Sequence, residues 1–360
     1  MSALKIRLKK IFDNANFDVL FIMNSSRRDS NFTYLTDFTS GVFEQSILIA
    51  KRDGAVLLTS ELEYETAMLQ RQDGLRIMAV HSAREIEKVI KDMIQGKIVG
   101  IDYGFLSYRA YRIVKKYGKP KKIVDASDAL RLAREVKDKA ELVKMKKAAQ
   151  IVKLAFKNIQ RHFRVGITEK KIAALFDSIM MENGADGTSF ATIVCFGNNA
   201  AEPHHSPDNT RLRKNNFILI DAGALYKNYC SDMTRTFIFM PDKRSAKYKK
   251  MLDMYNTVKE AQERAFAVAE AGAEGSEVDA AARSYIDSAS GGIYKGKFIT
   301  ALGHSIGIDV HDTGPVLAGR KYILKENMVV SNEPGIYIPG FGGVRIEDDM
   351  LIMKKKAKFL

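Results

Sequence analysis

Apolar and polar residues alternate in short blocks along about the first 130 positions of the chain. Six apolar runs predict β-strands: FDVLFIM, QSILIA, AVLLTS, LRIMAV, KIVGIDYG and KKIVDA. Amphipathic segments such as SAREIEKVIKDMI and SYRAYRIVKKYG separate these runs and predict helices. The pattern indicates a small α/β domain. No glycine-rich phosphate loop follows any of the six runs, so the pattern gives no support for nucleotide binding.

A charged passage, LRLAREVKDKAE, leads from this domain into a long predicted helix over roughly residues 138–163. A single apolar stripe runs along that helix and comprises Leu142, Met145, Ala149, Val152 and Phe156. A second helix, TEKKIAALFDSIMMENG, follows with Thr168 as its predicted N-cap. We therefore expect a first domain over residues 1–132 and a second over residues 133–360.

The second domain changes to longer strands and glycine-rich turns. The predicted strands are ATIVCFG, NFILIDAGAL, CSDMTRTFIF, MVVSNE and GVRIEDDMLIM. Two further helices are expected between about residues 243 and 288. This is the pattern of an α+β domain, and every chemically suggestive residue of the chain falls within it.

Composition and length favour an ordered globular protein. The chain has 360 residues, of which 46% are hydrophobic and 28% charged, and it contains only seven prolines. Its two cysteines, Cys195 and Cys230, form no CxxC pair, so we expect packing residues in a reducing compartment. The N-terminal segment lacks the features of a signal peptide, and no apolar run reaches the length of a membrane span. A cytoplasmic protein without a membrane partner is expected.

The net charge of +14 raises nucleic acid as a partner. However, the lysines of VKDKAELVKMKKAAQ and similar segments are mixed with acidic residues at helical spacing and have no interleaved aromatic residues. That arrangement is typical of solvated helix faces. We therefore predict no specific nucleic-acid partner.

Two aspartates interrupt an otherwise apolar predicted hairpin. Asp221 and Asp232 are eleven residues apart, so on one straight strand they would face opposite ways. A turn at Tyr226-Lys227 would make them direct cross-strand partners. A turn at Lys227-Asn228 suits asparagine better, and a bulge at Gly223 would then restore the approach. In an exposed hairpin, Arg235 alone could compensate the two carboxylates.

Glutamates repeat this arrangement near the C-terminus, where Glu333 and Glu347 end two apolar runs joined by a glycine-rich turn. Between the two acidic pairs lie His304, flanked by glycines that permit close backbone approach, and His311. Four carboxylates and one imidazole would carry a charge of about −4, which two divalent cations neutralise. This oxygen-rich set suits Mn²⁺ or Co²⁺, and Fe²⁺ and Zn²⁺ are also compatible with it.

The segments IDAGALYKNYCSDMTRTF, GHSIGIDVHD, EPGIYIPG and GVRIED resemble the motifs of the pita-bread metallopeptidases. The similarity is to the Xaa-Pro dipeptidase (prolidase) and aminopeptidase P branch, and the ligand order Asp, Asp, His, Glu, Glu matches completely. NFTYLTDF and EPHHSPDN extend the resemblance over nearly the whole chain. It implies an α/β creatinase-type N-terminal domain followed by an α+β pita-bread catalytic domain.

The same resemblance implies the ligands of a dinuclear metal centre. Asp221 would bind one metal through both oxygens, and Asp232 and Glu347 would bridge the pair. His304 and Glu333 would complete the shell of the second metal. A metal-bridging hydroxide would then attack the Xaa-Pro bond.

Further residues take roles from the resemblance. Glu333 would shuttle the proton to the leaving proline nitrogen, while His204 and His311 would stabilise the tetrahedral intermediate. His205 has no counterpart, and we expect it at the surface. Many relatives have a histidine where this chain has Thr300, which bears on substrate positioning or rate rather than on metal binding.

Two residues are predicted to shape the substrate site. Arg345 shares a strand face with Glu347, and it would either hold a ligating carboxylate or reach a substrate carboxylate. Phe190 would line an apolar pocket for proline. We expect a homodimer that acts on Xaa-Pro dipeptides, with an aminopeptidase for longer Xaa-Pro peptides as the close alternative.

Three other classes share this fold. The complete ligand set disfavours amidinohydrolases of the creatinase type and non-enzymatic pita-bread binding proteins. The N-terminal domain disfavours methionine aminopeptidases.

Overall fold

The computed structural model describes residues 2–319 and 321–360, and the chain divides into two compact units, Met1–Arg134 and Glu135–Leu360. Within the described residues, no helix combines the length and the apolarity that crossing a membrane requires.

The first unit is an α/β domain built on one mixed sheet. Its helices are α1 (Ala3–Phe12), α2 (Ser30–Thr36), α3 (Glu61–Leu69), α4 (Ala83–Ile94), α5 (Tyr108–Ile113), which continues into a π-helical turn (Val114–Gly118), and α6 (Ser127–Glu135). Its strands are β1 (Val19–Met23), β2 (Ile47–Lys51), β3 (Gly54–Thr59), β4 (Leu75–Ala79), β5 (Ile98–Ile101) and β6 (Lys122–Asp125). All six strands coincide with the apolar runs that predicted them, except that β2 and β3 each extend one residue beyond their run.

The sheet of the first unit has the strand order β4-β3-β2-β1-β5-β6. Strand β2 is antiparallel to both of its neighbours, and the other pairs are parallel. The apolar stripe of α4, with Ile90 and Ile94 fully buried, packs against Val19 and Phe21 of the central strand. Burial on this face explains why the central strands are apolar almost throughout.

The second unit contains two helix pairs and several small antiparallel sheets. Its helices are α7 (Lys139–Ile159), α8 (Glu169–Glu182), α9 (Ala246–Val268) and α10 (Gly275–Ser288), with 3-10 turns at Gln160–His162, Gly197–Ala201 and Ala289–Gly292. Its strands are β7 (Gly187–Thr188), β8 (Ile193–Phe196), β9 (Asn216–Ala222), β10 (Ala224–Tyr226), β11 (Tyr229–Cys230), β12 (Met233–Phe239), β13 (Gly303–His304), β14 (Val316–Leu317), β15 (Val329–Asn332), β16 (Gly335–Ile338), β17 (Gly342–Arg345), β18 (Asp348–Leu351) and β19 (Lys358–Phe359).

Capping residues close in sequence mark the N-termini of the first two helices of this unit. Helix α7 begins with a capping box between Asp138 and Glu141, and its predicted apolar stripe is buried. The Thr168 side chain accepts a hydrogen bond from the backbone N–H of Lys171, which confirms the predicted N-cap of α8.

Strand β9 lies between two apolar layers and alternates between them. Ile218, Ile220 and Ala222 pack in the cluster that includes α7 and α8, whereas Phe217 and Leu219 pack in the cluster that includes α9 and α10. Asp221 follows the parity of Phe217 and Leu219. The alternation therefore places its carboxylate on the α9/α10 side of the strand.

Both cysteines are buried without a disulfide, Cys195 in the α9/α10 cluster and Cys230 beside α7. The prediction that they are packing residues is confirmed.

Candidate metal centre

The hairpin that carries the two aspartates turns at Lys227 and Asn228. Both have left-handed backbone conformations, with φ of 46° and 69°, as a two-residue hairpin turn requires. Tyr226 pairs with Tyr229, and beyond the interruption Ala222 pairs with Met233 in the same register.

This register corrects two of the alternatives raised from the sequence. Asp221 lies opposite Thr234, so the two aspartates are not direct partners, and no extra residue is inserted at Gly223. Asp232 shares the parity of Thr234 and is therefore a diagonal neighbour of Asp221 on the same face. Gly223 is needed for close approach instead, because a Cβ there would lie 2.0 Å from the Ser231 carbonyl oxygen.

Arg235 points away from this face. It donates to the Asp348 carboxylate at 2.7 Å and lies over the Phe156 ring, on the α7 side of the strand. The alternative of an exposed hairpin in which Arg235 compensates the aspartates is therefore wrong, because adjacent residues of a strand face opposite sides.

Arg345 compensates Asp221 instead. Its side chain is 3% exposed, and Nη2 donates to Asp221 Oδ2 at 2.7 Å. The remaining donors are directed to Thr234 Oγ1 at 3.0 Å and to the Tyr337 hydroxyl at 2.9 Å. These contacts support the first of its two predicted roles, holding a ligating carboxylate, while substrate binding by Arg345 stays a prediction.

Asp232 and Glu347 lie at the buried centre of the acidic cluster. Burial raises the pKa of both carboxyls well above the usual range. The negative charges of neighbouring carboxylates raise each pKa further: Glu347 and Asp221 act on Asp232, and Glu333 and Asp221 act on Glu347. Ligand atoms of Asp232, His304 and Glu347 lie within 4.8 Å of one another.

The donor set fits divalent cations. One carboxylate oxygen of each of Asp221, Asp232 and Glu347 is buried and has no hydrogen-bond partner among the described residues. Buried carboxylate oxygens without partners are costly unless a cation binds them. The oxygen atoms and the single imidazole match the set expected from the sequence.

His304 lies between two of the carboxylates. Its Nε2 is 3.5 Å from Asp232 Oδ2 and 3.3 Å from Glu333 Oε1. Gly303 permits the close approach predicted from the sequence, since a Cβ there would lie 2.0 Å from the Ser331 carbonyl oxygen. Burial opposes protonation of His304, but the Glu333 carboxylate outweighs it and raises the pKa of the imidazole.

A cavity of about 410 Å³ opens beside this cluster, a size suited to a small ligand. The rings of His304 and His311 meet edge to face, with centroids 4.1 Å apart. The cavity is lined by all nine predicted site residues and by Thr300: Phe190, His204, Asp221, Asp232, His304, His311, Glu333, Arg345 and Glu347. The structure thus brings the predicted set together, and the individual roles stay predictions.

Sequence reasoning missed two features. Asp349 is buried, its Oδ2 accepts from the Asp232 backbone N–H at 3.2 Å, and burial raises its pKa to about 8. In the sequence, the one feature that pointed to Asp349 was the run of three acidic residues that ends RIEDD. The expectation that His205 lies at the surface is wrong, because its side chain is 11% exposed and contacts the buried Glu169 carboxylate at 2.9 Å.

Comparisons with known proteins agree with this architecture. The sequence model of Metallopeptidase family M24 matches residues 143–354, and that of the Creatinase/Prolidase N-terminal domain matches residues 6–177. The Xaa-Pro dipeptidase of Pyrococcus furiosus is 32% identical over 354 residues, which cover 98% of this chain and 96% of that protein.

Solved structures show the same two-domain fold. An Xaa-Pro dipeptidase from Bacillus anthracis has a TM-score of 0.87 at 32% identity, covering 99% of this chain and 96% of that one. An X-Pro aminopeptidase from Thermotoga maritima has a TM-score of 0.87 at 31% identity, covering 97% of both chains. The predicted fold, a creatinase-type N-terminal domain followed by a pita-bread domain, is confirmed. This chain belongs to metallopeptidase family M24.

Proposed function

We propose that the protein is a dipeptidase that hydrolyses the Xaa-Pro bond with two divalent metal ions. The observation that carries the proposal is the buried cluster of four carboxylates and one imidazole, with three carboxylate oxygens unpaired, at the wall of a peptide-sized cavity. The names of the relatives from Pyrococcus furiosus and Bacillus anthracis support the same activity.

The metals would be held by Asp221, Asp232, His304, Glu333 and Glu347, and we propose Mn²⁺ or Co²⁺. When bound, two such ions supply Lewis acidity that lowers the pKa of water and polarises a peptide carbonyl.

Side chains around the cavity would direct the proton transfers. Glu333 keeps 18% of its side chain exposed, and its Oε1 accepts from Ser331 Oγ at 3.0 Å. Burial opposes its ionisation, but His304 and Arg345 outweigh burial and lower the pKa of Glu333, so it is a carboxylate ready to accept a proton. It would take the proton of the attacking water and deliver it to the proline nitrogen.

His204 and His311 would stabilise charge that develops on the scissile carbonyl oxygen. Burial and the neighbouring His304 lower the pKa of His311, so at neutral pH the imidazole is uncharged and can donate one hydrogen bond. The ring of Phe190 would contact the proline.

Substrate length separates the two candidate functions, since the structural relative from Thermotoga maritima is named an aminopeptidase. Metal-free protein would be loaded with Mn²⁺ or Co²⁺ and assayed on an Xaa-Pro dipeptide and an Xaa-Pro-Xaa tripeptide, with Asp232→Asn loaded identically as the inactive control. We expect cleavage of the dipeptide alone. Comparable cleavage of both substrates would favour the aminopeptidase, and inactivity on both would favour a non-enzymatic binding protein.

We further propose a cytoplasmic location, which the two buried free cysteines suit, and a homodimeric state. Light scattering after size-exclusion chromatography should give twice the 40.3 kDa chain mass; a mass of one chain would contradict the dimer.

A further inference from the structure

One of the buried carboxylates outside the metal cluster belongs to Glu169, the first residue of α8. The Glu169 side chain is fully buried, and its two oxygens accept four hydrogen bonds. Oε1 accepts from the backbone N–H of Phe196 at 2.6 Å and from Asn199 Nδ2 at 3.0 Å. Oε2 contacts His205 Nε2 at 2.9 Å and accepts from the Asp208 N–H at 3.1 Å. One carboxylate thus fixes the segment 196–208 at four points.

His205 is the cationic partner in this arrangement. Its Nε2 faces Glu169, and its Nδ1 lies 3.3 Å from Glu202 Oε2. Because both ring nitrogens face carboxylates, the doubly protonated ring suits the geometry best. Burial opposes that charge, but the hydrogen bonds to Glu169 and Glu202 outweigh burial and raise the pKa of His205.

The same segment carries groups that reach the metal centre. His204, which is adjacent to His205, lines the cavity, and so does Pro203. The Pro203 carbonyl oxygen lies 3.4 Å from the Arg345 guanidinium, as the acceptor of a weak hydrogen bond. Fixing His205 against α8 therefore fixes the backbone from which the His204 imidazole extends.

A second metal site is the competing explanation, because Glu169, His205 and Asp208 have ligand atoms close enough to share a cation. However, each oxygen of Glu169 already accepts two N–H groups, and Asp208 is exposed, with its Oδ1 accepting from the Thr210 N–H at 2.6 Å. The buried polar atoms of this group are thus satisfied by protein donors.

We propose that Glu169 and His205 are positioning residues for the peptidase reaction. Their ion pair fixes the segment 196–208 and thereby holds the His204 imidazole at the cavity. The catalytic part rests on the proposed function, whereas the fixing of the segment does not depend on it.

A double-mutant cycle on the Xaa-Pro dipeptide tests the catalytic part. His205→Ala should lower kcat about tenfold with a smaller change in KM, and His204→Ala should lower kcat on the order of 100-fold, as loss of a group that stabilises the transition state does. The double variant should be no slower than His204→Ala, because His205 acts only through His204. A double variant whose loss of kcat equals the product of the losses in the two single variants would overturn the proposal.

Two further variants separate positioning from general destabilisation. His205→Gln, whose amide nitrogen can reach Glu169 as Nε2 does, should recover most of kcat. Ser206→Ala, at the exposed neighbouring position, should match the wild type. A His205→Gln variant as slow as His205→Ala would contradict the role of the contact with Glu169.

Hydrogen exchange tests the fixing of the segment without any substrate. In His205→Ala, peptides covering residues 197–208 should exchange on the order of tenfold faster, while peptides of α9 should be unchanged. Unchanged protection of residues 197–208 would overturn the inference, even in a protein that proved inactive on Xaa-Pro substrates. If the protein proved inactive and His205→Ala still exchanged faster, the conclusion that His205 fixes the segment would stand, and only the proposed function would be rejected.

Discussion

Replacing Asp232 by asparagine should change the stability of the protein in opposite directions with and without metal. In the metal-free protein, Asp232 is buried and lies near Glu347 and Asp221, and among the described residues its nearest basic side chain is His304 at 3.5 Å. Asparagine removes a negative charge that burial disfavours and keeps the shape of the side chain. The metal-free variant should therefore be more stable than the wild type.

The upper limit of this gain follows from linkage between protonation and folding. A carboxyl that is protonated at pH 7 when folded but titrates near pH 3.9 when unfolded costs about 4 kcal/mol at pH 7, at roughly 1.4 kcal/mol per pH unit. The folded pKa of Asp232 is raised, so the cost is absent below the unfolded pKa and grows as the pH rises. The advantage of Asp232→Asn should accordingly shrink as the pH is lowered from 7 towards 4.

Metal should reverse the order. A ligand at 100 times its dissociation constant stabilises the folded state by about 2.7 kcal/mol per site, or about 5.4 kcal/mol for two sites, which exceeds the upper limit of about 4 kcal/mol. The variant should lose this gain at the sites that Asp232 completes. Urea unfolding would be followed by circular dichroism, since the chain has no tryptophan, with EDTA or Mn²⁺ present and with metal content measured by mass spectrometry. Asp92→Asn, at an exposed position on α4, is the control. A metal-free Asp232→Asn protein that is no more stable than the wild type would refute the reasoning.

Three further predictions use the same buried network. Arg345→Lys should weaken metal binding and kcat/KM about 10- to 100-fold, because it removes the guanidinium contacts that orient Asp221; unchanged metal affinity by calorimetry would contradict that role. Gly223→Ala should lower the stability of the second unit by about 1–3 kcal/mol in urea unfolding, because its Cβ would overlap the Ser231 carbonyl, whereas Gly187→Ala, with its nearest atom at 3.9 Å, should be close to neutral. Cys230 should resist a thiol reagent at pH 8 until the protein unfolds, because burial raises its pKa to about 12; rapid labelling of the native protein would count against the packing.

Local pattern predicted most of the secondary structure and the list of site residues. The six strands of the first unit, the N-cap at Thr168 and the hairpin turn at Lys227-Asn228 depend on residues that are near one another in the chain. The site residues were found through motifs, whose order along the chain matches a known family.

Contacts between distant segments were not predictable in the same way. Strand parity could have excluded Arg235, which is three positions from Asp232. The sequence could not show that Arg345 reaches Asp221, because parity within one strand says nothing about the face that a separate strand presents. His205 was misplaced for a similar reason. Its partner, Glu169, lies 36 positions earlier on a helix, and only the folded chain brings the two together.

The four predicted carboxylate ligands divide into two kinds, and the division indicates where positive charge is required. Asp221 lies 2.7 Å from the Arg345 guanidinium, and Glu333 lies 3.3 Å from the His304 imidazole, whose protonated form it stabilises when no metal is bound. Within the part of the chain that the structure describes, the carboxylate of Glu347 accepts one hydrogen bond, from the Thr234 hydroxyl at 2.7 Å. Both Glu347 and Asp232 have raised pKa values because burial and neighbouring carboxylates oppose their ionisation.

Asp232 and Glu347 are also the two carboxylates that the family resemblance assigns as bridges between the metals. A bridging carboxylate contacts two cations and therefore requires the most positive charge around it. In a buried site, a protein cation beside such a carboxylate would compete with the metals for the same oxygens. The chain thus places its closest basic side chains against the peripheral ligands, and the raised pKa values of Asp232 and Glu347 indicate that compensation of the central pair is incomplete. That distribution suits a site that is completed by two metal ions rather than one.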